Sequence, residues 1–290
     1  DNLSEQVHGS NPEQTSPLYN SILGKVNFIR GTVTSKSDWK KAIADNEVIV
    51  HLAAETGTGQ SMYQVSHYID TNIGGTAIML DILANDKTGV KKVVVASSRA
   101  IYGEGKYLSA ELGAVYPPHR KAADMDKRMF EVTYPGAAIP LRLVATDEGS
   151  KIHPSSVYGI TKQNQEQMVM LVCKSIGIAG VSFRYQNVYG PGQSLSNPYT
   201  GILSIFSTLI KNKKPINIFE DGKESRDFFY IDDVVAATAL GIEKEEANGE
   251  IFNVGSGTAV TVMEVASLLI MHYGIDVPLQ VTENYRLGDI

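Results

Sequence analysis

Apolar and polar positions along this chain switch repeatedly between two periods. Glu47-Val-Ile-Val-His-Leu-Ala-Ala54 and Val90–Ser97, with Val93-Val94-Val95 at its centre, are continuous β-branched runs bounded by small or polar residues. Such runs suit strands buried on both faces. Val26–Arg30 and Gly180–Tyr185 read as further strands. Between them, Ser37–Asn46, Tyr63–Leu83 and Ser155–Ser175 place apolar residues at helical spacing, and Asp38 falls near the positive end of the first helix. Strands alternating with helices predict an α/β fold built on a doubly wound parallel sheet.

The later residues change character. Helices are expected over Ile202–Lys211, Asp232–Ile242 and Val262–Tyr273, with an edge-like strand at Pro215–Phe219 behind its proline. Connections shorten here, which predicts a smaller mixed α/β lobe on the C-terminal edge of the sheet. The stretch 104–153 fits neither period and carries prolines at 117, 118, 135 and 140. A connection of that length inside a compact domain is expected to be a lid, an inserted subdomain or a surface excursion.

Composition narrows the function classes. A net charge of −6 without a basic stripe argues against nucleic acid or a membrane surface as partner. One cysteine, Cys173, rules out an intrachain disulfide and a cysteine-built metal site, and its apolar neighbours give it a packing role. No apolar run approaches the roughly 20 residues that span a bilayer, so the chain reads as cytoplasmic. Asp1-Asn2-Leu3-Ser4 and Leu287-Gly288-Asp289-Ile290 open and close it without helix-start logic or a closing element, as if both ends were cut.

Chemistry enters with Tyr158-Gly-Ile-Thr-Lys162. A tyrosine and a lysine at i and i+4 lie on one helix face, where the ammonium can hold the phenol nearer ionisation. A serine from Ser97-Ser98, at the end of a buried strand, can add a hydrogen bond to the same reacting oxygen. In a doubly wound sheet, ligands bind beyond the carboxyl ends of the strands. There the chain places Asp1, Ala53-Ala54, Ser97-Ser98 and Tyr185-Gln186-Asn187. For Ala53 and Ala54, close approach to a flat cofactor and simple packing are equal readings.

Several motifs occur in one order along nearly the whole chain: His51-Leu-Ala-Ala-Glu55, Thr71-Asn-Ile-Gly-Gly-Thr76, Ser97-Ser-Arg-Ala-Ile-Tyr-Gly103, the Tyr158/Lys162 pair, Arg184-Tyr-Gln-Asn-Val-Tyr-Gly-Pro191, Asp221-Gly-Lys-Glu-Ser-Arg-Asp227 and Asn253-Val-Gly-Ser-Gly257. The combination resembles the extended short-chain dehydrogenase/reductase superfamily, in its nucleotide-sugar epimerase/dehydratase branch. The resemblance implies a Rossmann-type NAD-binding domain over 1–184, with 228–254 returning to it and 104–153 inserted in it. Residues 185–227 and 255–290 would form the nucleotide-sugar lobe. Tyr158 would be the catalytic acid/base, Lys162 its pKa-lowering and ribose-holding partner, and Ser98 the partner of the substrate hydroxyl. NAD would lie along Asp1, Asn2, Leu52, Ala53, Ala54, Asn72, Ser97, Tyr158, Lys162 and Tyr185. Asn187, Arg226 and Arg286 would hold the substrate diphosphate, as suits planar, permanently charged donors. Phe219 would stack on the base with Asn217 beside it, or be a core phenylalanine; Asp233 matches a structural aspartate. A homodimer through Tyr63–Leu83 and Ser155–Ser175 is expected.

Two departures from the family pattern matter. The Gly-x-x-Gly-x-x-Gly loop that cradles a dinucleotide pyrophosphate does not occur in the chain; the resemblance places it, with the first strand and helix, before position 1. Weak NAD binding by these 290 residues alone is the corresponding expectation. Dehydratases carry Asp-Glu directly after the serine position, where this chain has Arg99-Ala100. Neither residue can perform that acid/base work, so dehydration is disfavoured and an NAD-dependent 4-epimerase is implied. The segments 1–9 and 55–61 most resemble the dTDP-L-rhamnose 4-epimerase-like members. A 4-reductase using NAD(P)H, or a dinucleotide sensor without catalysis, are the alternatives.

Overall fold

A computed structural model describes residues 1–138, 140–195, 197, 199 and 201–285. Helix α1 (Lys36–Ile43) precedes strand β1 (Val48–His51), and α2 (Gly75–Asn85) leads into β2 (Lys92–Ser98). Strands β3 (Tyr107–Ser109), β4 (Gly113–Val115) and β5 (Arg142–Leu143) come before the long helix α3 (Val157–Ile176) and strand β6 (Ala179–Tyr185). There follow β7 (Asn187–Tyr189), α4 (Ile202–Lys211), β8 (Ile216–Ile218), β9 (Ser225–Tyr230), α5 (Ile231–Glu243) and β10 (Ile251–Val254). The last elements are β11 (Ala259–Thr261), α6 (Val262–Tyr273) and β12 (Leu279–Val281).

The main sheet is parallel throughout, in the order β1-β2-β6-β10. Strand β2 is buried along its whole length because side chains alternate between two covered faces. Val93 and Val95 pack with Trp39, Met79, Val169 and Cys173 under the helices of one side. Val94 packs with Val181, Phe183 and Val254 on the other. Burying each such side chain contributes about 1.5–3 kcal/mol. Helix α5 closes over this second face at Gly241, where a Cβ would stand 2.5 Å from the Phe183 ring. Lys92 Nζ then caps the helix, donating to the carbonyls of Gly241, Ile242 and Lys244 at 2.9–3.1 Å.

The C-terminal elements form two small sheets, β11-β9-β7 and β12-β8. Helices α4 and α6 cover a separate core of Phe206, Ile210, Ile216, Ile218, Val265 and Ala266. Helix α6 starts at a capping box between Thr261 and Glu264. Among the described residues no helix is long and apolar enough to cross a membrane.

Two expectations change. Val26–Arg30 forms no strand; beside it Gly31 N donates to Asp1 O and the Asp1 amino group to Ile29 O. The helix expected over 63–83 begins as one turn at Val65–Tyr68 and widens into a π-helical stretch at Ile69–Gly74. It continues as α2 to Asn85. The 104–153 segment folds into an antiparallel sheet, β4-β3-β5, pinned to the C-terminal elements by a buried ion-pair triad. Arg120 bridges Glu104 (3.2 Å) and Glu220 (2.7 Å).

Candidate active site

The C-terminal end of β2 meets the N-terminal end of α3. Ser156 caps α3 by accepting the Gly159 amide at 3.1 Å, and Ser61 Oγ accepts the Tyr158 amide at 3.0 Å. Ser98 Oγ accepts the Ala100 amide at 3.2 Å and starts a tight 3₁₀ turn, Arg99–Tyr102. Gly159 lets the two elements touch, because a Cβ there would lie 2.6 Å from the Ala100 carbonyl oxygen. The junction opens a cavity of about 400 Å³ lined by Leu52, Ser97, Ser98, Tyr158, Lys162, Tyr185 and Asn187, among others. It sits beyond the carboxyl ends of the parallel strands, where such sheets bind ligands.

Burial pushes the Tyr158 phenol above its ordinary range; the Ser98 hydroxyl and the positive charge of Arg99 oppose that rise. Lys162 is 3 % exposed and donates from Nζ to the Ala96 carbonyl at 2.8 Å. Its burial lowers the ammonium to about 7. The i, i+4 spacing pointed to Lys162 as the charge that eases Tyr158 ionisation; Arg99 is a further positive charge that works against the rise of the phenol. Tyr68 meets Tyr158 edge-on, with ring centroids 6.5 Å apart, and donates to the Thr56 carbonyl. Behind Lys162, His51 is buried between Thr76 and Gln165 and held neutral, at about 3, first by desolvation and then by the Lys162 charge.

The other candidates divide. Ser97 Oγ is buried on the cavity wall and has no hydrogen-bond partner among the described residues, which marks it for a ligand. Tyr185 anchors its hydroxyl to Thr238 at 2.7 Å. Asn72, in the π-helical stretch, turns its amide to Glu55 N and O and to Thr161. It therefore holds the 52–56 loop that carries Leu52, Ala53 and Ala54. Asp1 and Asn2 line neither cavity; their side chains accept the amides of Leu3 and Ser4. Asn217 and Phe219 share the outer face of β8, opposite buried Ile216 and Ile218, and both are exposed. Phe219 is thus no core side chain: it stands one and three positions from the buried pair, an odd offset that alternation puts on the other face. Arg286 lies outside the described residues.

A larger cavity of about 710 Å³ adjoins the first, sharing Gln186. Its walls combine the inserted sheet (Tyr107, Arg120, Leu143) with Arg226 and Arg99. Arg226 is paired with Glu224 there. Arg99 Nε donates to Asn187 Oδ1 at 2.5 Å, so this side chain spans the two cavities. Arg99 was legible in the sequence only as a residue unfit for elimination, although its place directly after Ser98 at a strand end was the available signal. Nothing in the sequence linked Arg120 to Glu104 and Glu220.

The sequence pattern of the NAD dependent epimerase/dehydratase family matches residues 1–255. The chain is 37 % identical to a dTDP-L-rhamnose 4-epimerase of Burkholderia thailandensis, over all of this chain and 77 % of that one. Its fold is similar to a UDP-glucose 4-epimerase of Thermotoga maritima solved with UDP-glucose: TM-score 0.71, 26 % identity, covering 92 % of this chain and 76 % of that chain. It is also similar to MoeE5 in complex with UDP-glucose and NAD: TM-score 0.70, 25 % identity, covering 90 % and 73 %.

Proposed function

The chain belongs to the NAD-dependent epimerase/dehydratase family, and from that premise we propose that it is an NAD-dependent nucleotide-sugar 4-epimerase. The substrate would be a dTDP- or UDP-linked hexose or 6-deoxyhexose, with a dTDP-linked 6-deoxyhexose favoured by the Burkholderia relative. The observation that carries the reading is the junction where Ser98 and Tyr158 face one cavity while Arg99-Ala100 stand where elimination would need acids.

Tyr158, as its phenolate, takes the proton of the sugar C4 hydroxyl and as the phenol later returns it, and Ser98 holds that oxygen. Lys162 and Ser97 face the cofactor side of the cavity, where a buried unpartnered hydroxyl and a lysine with a reduced charge fit a ribose and its nicotinamide. NAD⁺, when bound there, would accept the C4 hydride and give it back to the other face of the 4-keto sugar. Asn187 and Arg226 hold the diphosphate, and Asn217 and Phe219 receive the base. The domain division of the sequence analysis, with β10 returning to the main sheet, belongs to this proposal, as do a cytoplasmic location and a homodimer. The dimer is supported by apolar side chains exposed on both candidate helices: Tyr63, Val65 and Ile69 on one, Ile160 and Leu171 on the other.

Incubating the protein with NAD⁺ and a panel of dTDP- and UDP-sugars, with products read by NMR, tests the assignment. Formation of the C4 epimer without net change in nicotinamide absorbance is expected. Sugars that all return unchanged would remove it, and stoichiometric consumption of reduced nicotinamide would make the chain a 4-reductase.

A further inference from the structure

We propose that Ser61 is a positioning residue for Tyr158: from the segment 56–61 it holds the backbone of the acid/base, while Tyr68, tied to the same segment, holds its ring. This rests on the epimerase reading above, in which Tyr158 carries the proton.

The backbone contact answers a need of the helix start. The first N–H groups of a helix have no intrahelical acceptor. In α3 the first such bond runs from Ile160 N to Ser156 O at 3.0 Å, so the amide of Tyr158 needs a partner from elsewhere. The N-cap Ser156 serves Gly159, one residue further on, at 3.1 Å. Ser61, 97 residues away in the chain, serves Tyr158 itself: its Oγ accepts the amide at 3.0 Å. The same hydroxyl donates its proton to the Thr58 carbonyl at 2.5 Å, which fixes its orientation and leaves its lone pairs for the amide. Ser61 is fully buried, so the protein and not water sets that geometry.

The ring contact returns to the same segment. Tyr68, also fully buried, meets the Tyr158 ring edge-on with centroids 6.5 Å apart. Its hydroxyl donates to the Thr56 carbonyl and lies 3.3 Å from Gln60 Oε1. Thr56 itself stands on the wall of the smaller cavity. The segment is anchored in turn by buried Gln60, which exchanges two amide hydrogen bonds with Gln6, each of 3.0 Å, and donates to Gln64 Oε1 at 3.1 Å. Backbone and ring of Tyr158 are thus both set from 56–61. Misplacement of a reacting group by about 1 Å costs about a hundredfold in rate. A serine that only stabilised the helix would affect Tm and leave the rate alone; one that places the phenol acts on kcat.

The test labels the protein with ¹⁵N-tyrosine and follows amide exchange in deuterated water by NMR, the Tyr158 signal being identified by its loss in Tyr158→Phe. In the wild type this amide should be protected. Ser61→Ala should speed its exchange about tenfold, the size of a lost helix cap. With NAD⁺ and dTDP-L-rhamnose, the sugar named for the Burkholderia relative, the same variant should lose about ten- to a hundredfold in kcat while KM stays near wild type. Ser61→Thr, which keeps the hydroxyl, should restore both. A Tyr158 amide that exchanges freely in the wild type overturns the proposal, and that result needs no variant to fold. So does Ser61→Ala with the kcat of the wild type, or Ser61→Thr with a protected amide and the kcat of Ser61→Ala. A wild type that turns over no sugar removes the epimerase reading instead, while amide exchange, which needs no substrate, still decides whether Ser61 holds Tyr158.

Discussion

Gly159 lies against Ala100 so closely that a Cβ would sit 2.6 Å from the Ala100 carbonyl oxygen and 3.0 Å from Pro154 Cβ. That contact sets the distance between the phenol on α3 and the hydroxyl at the end of β2. Gly159→Ala must push the elements apart, costing about 1–3 kcal/mol as overpacking. A displacement near 1 Å is worth about a hundredfold in rate. The variant should fold with a lowered Tm and lose kcat on that scale while KM stays close to wild type, which steady-state kinetics beside thermal unfolding will check.

Tyr158→Phe removes the proposed proton carrier and little else, because the ring keeps its edge-on contact with Tyr68. Turnover should fall about 10²–10⁴-fold with NAD binding retained. Equal losses in binding and rate would instead mark Tyr158 as a packing residue. A protein that only senses dinucleotide would show an unchanged affinity.

Two buried bases make stability depend on pH. Lys162 falls from 10.5 to about 7 on folding and His51 from 6.5 to about 3, both chiefly by desolvation. In each case the unfolded chain binds more protons between the two values, so stability rises with pH across that window. The Lys162 penalty is full below about pH 7 and fades toward pH 10.5; the His51 penalty grows as pH falls below 6.5. Relative to Lys162→Met, the wild type should gain stability from pH 7 upward, with a slope approaching about 1.4 kcal/mol per pH unit. His51→Gln should resist mild acid better than the wild type. Urea unfolding at a series of pH values reads both.

Arg120 is 13 % exposed between two buried carboxylates, so Arg120→Met strands Glu104 and Glu220 without their cation. Breaking such a buried pair costs about 3–5 kcal/mol. The inserted sheet should loosen from the C-terminal elements, and the basic stretch at Lys121, Lys127 and Arg128, already at the surface, should be cleaved faster by trypsin as its backbone is released. If the insert walls the substrate site, KM should rise more than kcat falls. Unchanged cleavage and KM would leave the triad without a role in holding the insert.

The local patterns carried most of the architecture. Strand β2 and helix α3 were legible because a run of β-branched residues and a 3.6-residue period report burial directly, and Ile202–Lys211 and Val262–Tyr273 were placed at their observed bounds. Val26–Arg30 misled because strand formation depends on pairing as well as on the pattern of apolar residues. In the site, Ser98, Tyr158 and Lys162 were visible at strand-end and helix-face positions and do gather at one cavity.

What the sequence by itself determined is therefore most of the main-sheet elements, their parallel alternation and the candidate residues that gather at one cavity, since each is written in neighbouring positions. The tertiary structure decided their polar partners. Lys162 turns to the Ala96 carbonyl, and Arg99 reaches Asn187, because the folded strand ends bring together residues far apart in the chain. Arg120 finds Glu104 and Glu220 in the same way. Coulomb and desolvation energies follow distance in space, and spacing along the chain does not encode it.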